Sequence, residues 1–150
     1  MNIYKKVLVP LDGSEFSECT LGHVNEIAKG FKVQDVVLLW VMEPLHQVAA
    51  MGEDWRRDAE AKAQIEAKNY LTKIADDLKK DGLAVETVVS SGQPAEVILD
   101  YVKQNQVDLI IMSTHGRSGV SRWFLGSVTD RVVSHSAAPV LVVSPSGCRV

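Results

Sequence analysis

Two segments of the sequence combine small, hydroxyl-bearing and charged residues in a pattern that suits an anionic ligand. In the longer one, residues 113–119 (STHGRSG), Gly116 allows backbone to approach a ligand with no Cβ in the way, and Arg117 adds positive charge. Gly126 and Ser127 then begin a predicted helix, whose first amides lack intrahelical partners and favour a phosphate. This pattern suits a triphosphate held by backbone amides. The same glycines would also suit tight turns, with Ser127 only capping its helix.

The shorter segment, residues 10–14 (PLDGS), places Asp12 directly after a predicted strand. A carboxylate here can brace the start of the following helix together with Ser14, which is the common structural role. It can also accept hydrogen bonds from ribose hydroxyls or a base amino group, and it could help to hold a magnesium ion. The residues alone leave these alternatives open.

The motifs of the common nucleotide enzymes are missing from the sequence. It contains no Gly-x4-Gly-Lys-Ser/Thr phosphate loop, no Gly-x-Gly-x-x-Gly after the first predicted strand and no Gly-x-Ser-x-Gly elbow. The four histidines lack metal-ligand spacing. Phosphoryl transfer also needs a group that orients the nucleophile, and the sequence identifies none. We therefore expect no catalytic residues and at most slow hydrolysis of a bound nucleotide; a true nucleotide hydrolase is the least favoured hypothesis.

The elements that would position these segments follow from five short apolar runs. Four are rich in β-branched residues and nearly continuous, as in strands covered on both faces, whereas the third alternates more and fits a sheet edge. Helical patterns separate the runs, beginning at Ser14, near Asp54, near Pro94 and after Ser127. The alternation predicts an α/β fold: an open, five-stranded, mostly parallel sheet with helices on both faces. The predicted strands are 6–11, 36–41, 83–89, 107–112 and 139–143.

Length and composition agree with one such domain. The 150 residues are 46% hydrophobic and 23% charged, so we predict a single domain over residues 1–150. A net charge of -3 disfavours nucleic acid as a partner. No apolar run approaches the ~18 residues of a membrane helix, and the start lacks the pattern of a secretory signal. We therefore expect a cytoplasmic protein with no membrane partner.

With these residues in view, the chain resembles the universal stress protein (UspA) family over nearly its whole length. The most specific similarity runs from Met112 to Val128. The ATP-binding branch of that family carries Gly-x2-Gly-x9-Gly-Ser/Thr, in which Gly116 fills the second glycine position and Gly126 the third. Ser113 stands at the first glycine position, where its Cβ predicts weaker or altered binding rather than none.

The resemblance implies a Rossmann-like fold of the adenine nucleotide α-hydrolase type and a role as a stress-response sensor or regulator that binds ATP, or AMP or ADP, with magnesium. It places adenine and ribose near Pro10, Leu11, Asp12 and Val41. It places the ribose beside Met112 and Ser113, and the phosphates at Gly116, Gly126, Ser127 and Val128.

The resemblance also implies a homodimer formed through the last strand, Pro139–Val143. The sequence allows this independently, because a short apolar strand at a sheet edge leaves backbone groups unpaired. Residues 144–150 could instead fold back over that edge. A nucleotide-independent homodimeric interaction module, which Ser113 favours, is the alternative function.

Overall fold

A five-stranded sheet with strand order β3-β2-β1-β4-β5 forms the centre of the computed structural model, which describes residues 2–44, 51–114 and 125–144. All four strand pairings are parallel. The strands are β1 (Lys6–Pro10), β2 (Asp35–Met42), β3 (Val85–Ser91), β4 (Leu109–Ser113) and β5 (Val140–Val143). The helices are α1 (Glu15–Glu18), α2 (Thr20–Gly30), α3 (Glu53–Lys80), α4 (Pro94–Gln104) and α5 (Ser127–His135). The predicted fold class is confirmed.

Apolar side chains on both faces of the sheet explain why the strand sequences are nearly continuous. In β1, Val7 and Val9 pack on the face covered by α2 and α3, whereas Leu8 packs on the face covered by α4 and α5. Each of these three side chains is at most 1% exposed. Burial of one such side chain contributes about 1.5–3 kcal/mol, so the central strand is a main source of stability.

The strand order creates a switch point between β1 and β4. The chain leaves β1 through α1 and α2 on one face, and it leaves β4 towards α5 on the other. In open parallel sheets the crevice between two such connections is the usual ligand site. The two polar segments recognised in the sequence therefore follow neighbouring strands, an adjacency that could only be assumed from the sequence.

Two details of the elements bear on the sequence predictions. The third strand lies at a sheet edge, as its alternating pattern predicted. The helix predicted from Ser14 is divided into α1 and α2 near Cys19. The Thr20 hydroxyl donates to the Ser17 carbonyl at 2.7 Å, and a threonine bonded back to the preceding turn bends a helix.

None of the helices in the described ranges is long and apolar enough to cross a membrane.

Candidate functional site

The turn after β1 is held by a compact hydrogen-bond network around Asp12. Its Oδ1 accepts the Ser14 amide at 2.9 Å and the Ser14 hydroxyl, whose oxygen in turn accepts the Ser17 amide at 3.1 Å. Gly13 lies at φ +81°, a conformation that favours glycine. Ser14 is therefore the N-cap of α1 and Asp12 braces it, which is the structural role considered for this carboxylate.

The end of β4 is connected to α5 through two hydrogen bonds. The Ser113 carbonyl accepts the Thr129 hydroxyl at 2.8 Å, and the Thr114 carbonyl accepts the Gly126 amide at 2.7 Å. The Thr114 amide donates to the Val143 carbonyl of β5 at 3.0 Å. Together these bonds fix the start of α5 against the carboxyl ends of two strands.

The start of α5 differs from that of α1 because its N-cap residue, Gly126, has no side chain. The first bond of the helix runs from the Asp130 amide to the Gly126 carbonyl at 2.8 Å, so the amides of Ser127, Val128 and Thr129 precede it. Gly126 lies at φ -60° and ψ 155°, a conformation open to any residue, so backbone geometry does not demand glycine there. A missing Cβ at this point leaves room for a group that approaches the helix end closely.

The end of β2 presents backbone to the same crevice. The Leu11 amide donates to the Leu39 carbonyl at 2.9 Å, beyond the last register pair of β1 with β2. Backbone groups of alternate residues point to the same side of a strand, so Val41 directs its amide and carbonyl to the side of β1. No bond from these groups to β1 occurs among the described residues. Val41 therefore offers one donor and one acceptor beside the turn at Asp12.

The side chains at the strand ends lie on different faces of the sheet. Met112 is 6% exposed and packs with the half-buried Val41 and Val128 on the face of α4 and α5. Ser113, 7% exposed, is in register with Val143, which packs on the opposite face. Residues paired in register direct their side chains to one face, so the Cβ of Ser113 points away from Val41 and Val128.

The structure thus places most of the predicted site residues at or next to the carboxyl ends of the central strands. Leu11 and Met112 are buried in the two core clusters, so only their backbone is suited to contact a ligand. Gly116 and Arg117 lie outside the described residues. Within the described ranges, no group of three or more histidine, cysteine or acidic residues could hold a metal ion. The predicted residues found there are Pro10, Leu11, Asp12, Val41, Met112, Ser113, Gly126, Ser127 and Val128.

Sequence reasoning missed Thr129, which is 4% exposed. Its position held a signal: together with Val132 it occupies the buried face of α5, and a hydroxyl at a buried helical position requires a hydrogen-bond partner.

Comparison with known proteins identifies the family. The model of the universal stress protein family (Usp) matches residues 3–144. The chain belongs to the universal stress protein family. It is 35% identical to Universal stress protein MJ0577 of Methanocaldococcus jannaschii, over 94% of this chain and 95% of the relative. The solved structure of MJ0577 superposes with a TM-score of 0.82, covering 95% of this chain and 96% of that one.

Two more distant solved structures of the same fold contain a nucleotide. A universal stress protein family protein from Arabidopsis thaliana, 20% identical with a TM-score of 0.69, was solved with AMP bound; the match covers 93% of this chain and 91% of that one. A universal stress protein in complex with cAMP is 22% identical with a TM-score of 0.67, and the match covers 94% and 97% of the two chains.

Proposed function

We propose that this universal stress protein binds ATP in the crevice between β1 and β4 and acts as a stress-response sensor or regulator in the cytoplasm. The observation that carries the proposal is the start of α5 at the switch point, where the N-cap Gly126 has no side chain and no side chain among the described residues caps the first amides of the helix. The AMP and cAMP held by two neighbours of the same fold support an adenine nucleotide as the ligand class.

The nucleotide would extend across the carboxyl ends of β4, β1 and β2, with the phosphates at α5, the ribose beside Asp12 and the base beside Val41. The Val41 amide and carbonyl match the adjacent acceptor and donor on the edge of adenine. Guanine would bring a donor to the Val41 amide, so the arrangement favours adenine.

Magnesium would accompany the triphosphate. Because the described residues form no cluster of metal-binding side chains, the phosphate oxygens would supply most of its ligands, with the Asp12 carboxylate nearby. Bound Mg²⁺ would neutralise phosphate charge. We propose at most slow hydrolysis, since the sequence identifies no side chain to orient an attacking water.

The second candidate function, a nucleotide-independent interaction module, depended on crowding by Ser113. The orientation of Ser113 towards the face of α2 and α3 argues against that crowding, since its Cβ points away from Val41 and Val128. We therefore expect the serine to be compatible with the ligand.

We also propose that β5 pairs with β5 of a second copy. It is an edge strand, and Leu141 on it is 37% exposed while the nearby α5 residue Val133 is 43% exposed. Pairing would complete the backbone hydrogen bonds of the edge and cover this apolar surface. Residues 145–150, which could cover the edge instead, lie outside the described residues.

The proposed nucleotide site is tested with Gly126→Val. Valine adopts φ -60° and ψ 155° readily, so the fold should survive while its side chain occupies the space at the helix end. We expect ATP affinity measured by calorimetry to fall at least ~100-fold, since a side chain would displace charge-assisted amide contacts. Gly116→Val should behave alike.

Gly22→Val is the matched control, because a Cβ built at Gly22 on α2 meets nothing within 4 Å. It should bind ATP as the parent does. Mass spectrometry of ligand released from freshly purified, denatured protein tests the ligand class directly. Parental affinity in Gly126→Val, or no binding of ATP, ADP or AMP by the parent, would disprove the proposed site.

A further inference from the structure

The Thr129 hydroxyl makes a buried hydrogen bond that joins α5 to the end of β4. It lies in the first turn of α5, is 4% exposed, and donates to the Ser113 carbonyl at 2.8 Å. The first turn also contains the three amides, of Ser127, Val128 and Thr129, that precede the helix's own hydrogen bonds. The direction of those amides therefore depends on how this turn is held.

We propose that Thr129 is a positioning residue that aims the first-turn amides of α5 at the phosphate chain, and so sets the preference for phosphorylated over unphosphorylated ligands. The inference rests on the proposed nucleotide site and goes beyond it, because the Thr129 side chain would touch no part of the ligand.

Among the residues that the structure describes, two hydrogen bonds join the start of α5 to the end of β4, and one of them is donated by a side chain. The Gly126 amide bonded to Thr114 fixes the N-cap, while Val128 and Val132 hold the helix to the core by apolar packing, which is not directional. The Thr129 bond to Ser113 supplies a second point three residues further on. With both bonds made, the amides between them keep one orientation relative to β4.

The hydroxyl of Thr129, and not the volume of its side chain, would position the first-turn amides. Valine has nearly the same shape as threonine and would fill the same space beside Val132. The exposed ion pair between Arg131 and Glu96 also joins α5 to α4, but both side chains are about half exposed, so it restrains the helix weakly. Loss of the Thr129 hydroxyl would therefore change the direction of the amides in the first turn of α5 without leaving a cavity in the core.

The experiment compares the affinities of ATP and adenosine by calorimetry in the parent, Thr129→Val and Thr129→Ser. Amide hydrogen bonds to phosphate depend on direction, whereas base and ribose contacts are made elsewhere. We expect Thr129→Val to weaken ATP binding about tenfold, about the value of one charge-assisted hydrogen bond, and to leave adenosine binding unchanged. Thr129→Ser keeps the hydroxyl and should restore the parental ratio of the two affinities.

Thr20→Val is the matched control for a merely structural effect. Thr20 is fully buried and its hydroxyl donates to the Ser17 carbonyl at 2.7 Å, so its loss should lower stability similarly while the ATP-to-adenosine ratio stays parental. If Thr129→Val fails to fold, the smaller Thr129→Ala replaces it, and circular dichroism verifies that each variant is native.

The outcomes separate the two proposals. Equal weakening of ATP and adenosine in Thr129→Val, a parental ratio in that variant, or a ratio that Thr129→Ser fails to restore overturns the positioning role alone. A parent that binds neither ligand overturns the proposed function and this inference with it. A selective loss for ATP, restored by serine and absent in Thr20→Val, supports both.

Discussion

At the scale of single residues, the candidate site depends on pairs in which one side chain fixes another. Asp12 braces Ser14, and Ser14 caps α1. The sequence left open whether Asp12 would serve the helix or a ligand, and the structure shows that Oδ1 serves the turn. A contact between this carboxylate and ribose would be a separate role and stays a prediction. The other nucleotide contacts that the family resemblance implies also stay predictions.

The cap itself can be tested with Ser14→Ala. Without the hydroxyl, the Ser17 amide loses its acceptor and Asp12 loses a donor, so we expect a loss of ~1 kcal/mol in unfolding free energy. For a chain of this length the melting temperature should fall about 2–4 °C. Ser91→Ala, at an exposed position at the end of β3, should leave it unchanged. An equal fall in both variants would contradict the capping role.

At the scale of elements, local patterns were sufficient to predict most strands and helices. The apolar runs predicted all five strands, and Pro94 marked the start of α4 correctly. The predicted start of α5 was also correct, but the sequence offered Ser127 as its cap, whereas the N-cap is Gly126 and no side chain of the described residues caps the helix. The division between α1 and α2 was missed because hydrophobic periodicity does not encode local side-chain bonds such as that of Thr20 to the Ser17 carbonyl beside it. Thr129 was missed for a related reason: its partner, the Ser113 carbonyl, lies on another element.

The surroundings of Tyr101 on α4 predict how the stability of the fold changes at alkaline pH. Burial, and second the negative charge of Glu86, raise the pKa of Tyr101 above its usual value near 10. Ionised Tyr101 is therefore less favourable in the folded than in the unfolded chain, so this residue's contribution to stability is complete below pH 10 and is lost as pH rises further.

Urea unfolding at pH 8 and pH 11 provides the measurement. Tyr101→Phe should lose less stability between these pH values than the parent does, and Glu86→Gln should show a smaller reduction of the same sign, because Glu86 is the lesser cause. Identical losses in parent and Tyr101→Phe would show that this tyrosine does not contribute.

At the scale of the whole molecule, the strand order brings the two polar segments together. Sequence patterns do not determine which strands pair, because pairing depends on contacts between distant residues. The prediction could therefore describe the crevice only on the condition that β1 and β4 are neighbours, which the structure satisfies. The positions expected for the base, ribose and phosphates came from the family resemblance. The residue types at the strand ends would not have distinguished these positions by themselves.

The proposed dimer is tested at this scale with Leu141→Arg. Like charges from two copies would meet in the paired edge strands, so we expect a monomer by analytical ultracentrifugation at concentrations where the parent is a dimer. Ile65→Arg, on the outer surface of α3 where Ile65 is 61% exposed, is the control and should stay dimeric. A parent that is monomeric at all concentrations would refute the β5 interface.

The position of β1 also has a consequence for how the molecule is made. One of its neighbours is β4, and the amides of Lys5 and Lys6 donate to the carboxylate of Asp108, which lies 103 and 102 residues further along the chain. During translation the central strand therefore lacks one of its neighbours until the segment about 100 residues further along the chain has been synthesised. An apolar strand left unpaired for that time exposes surface that chaperones recognise.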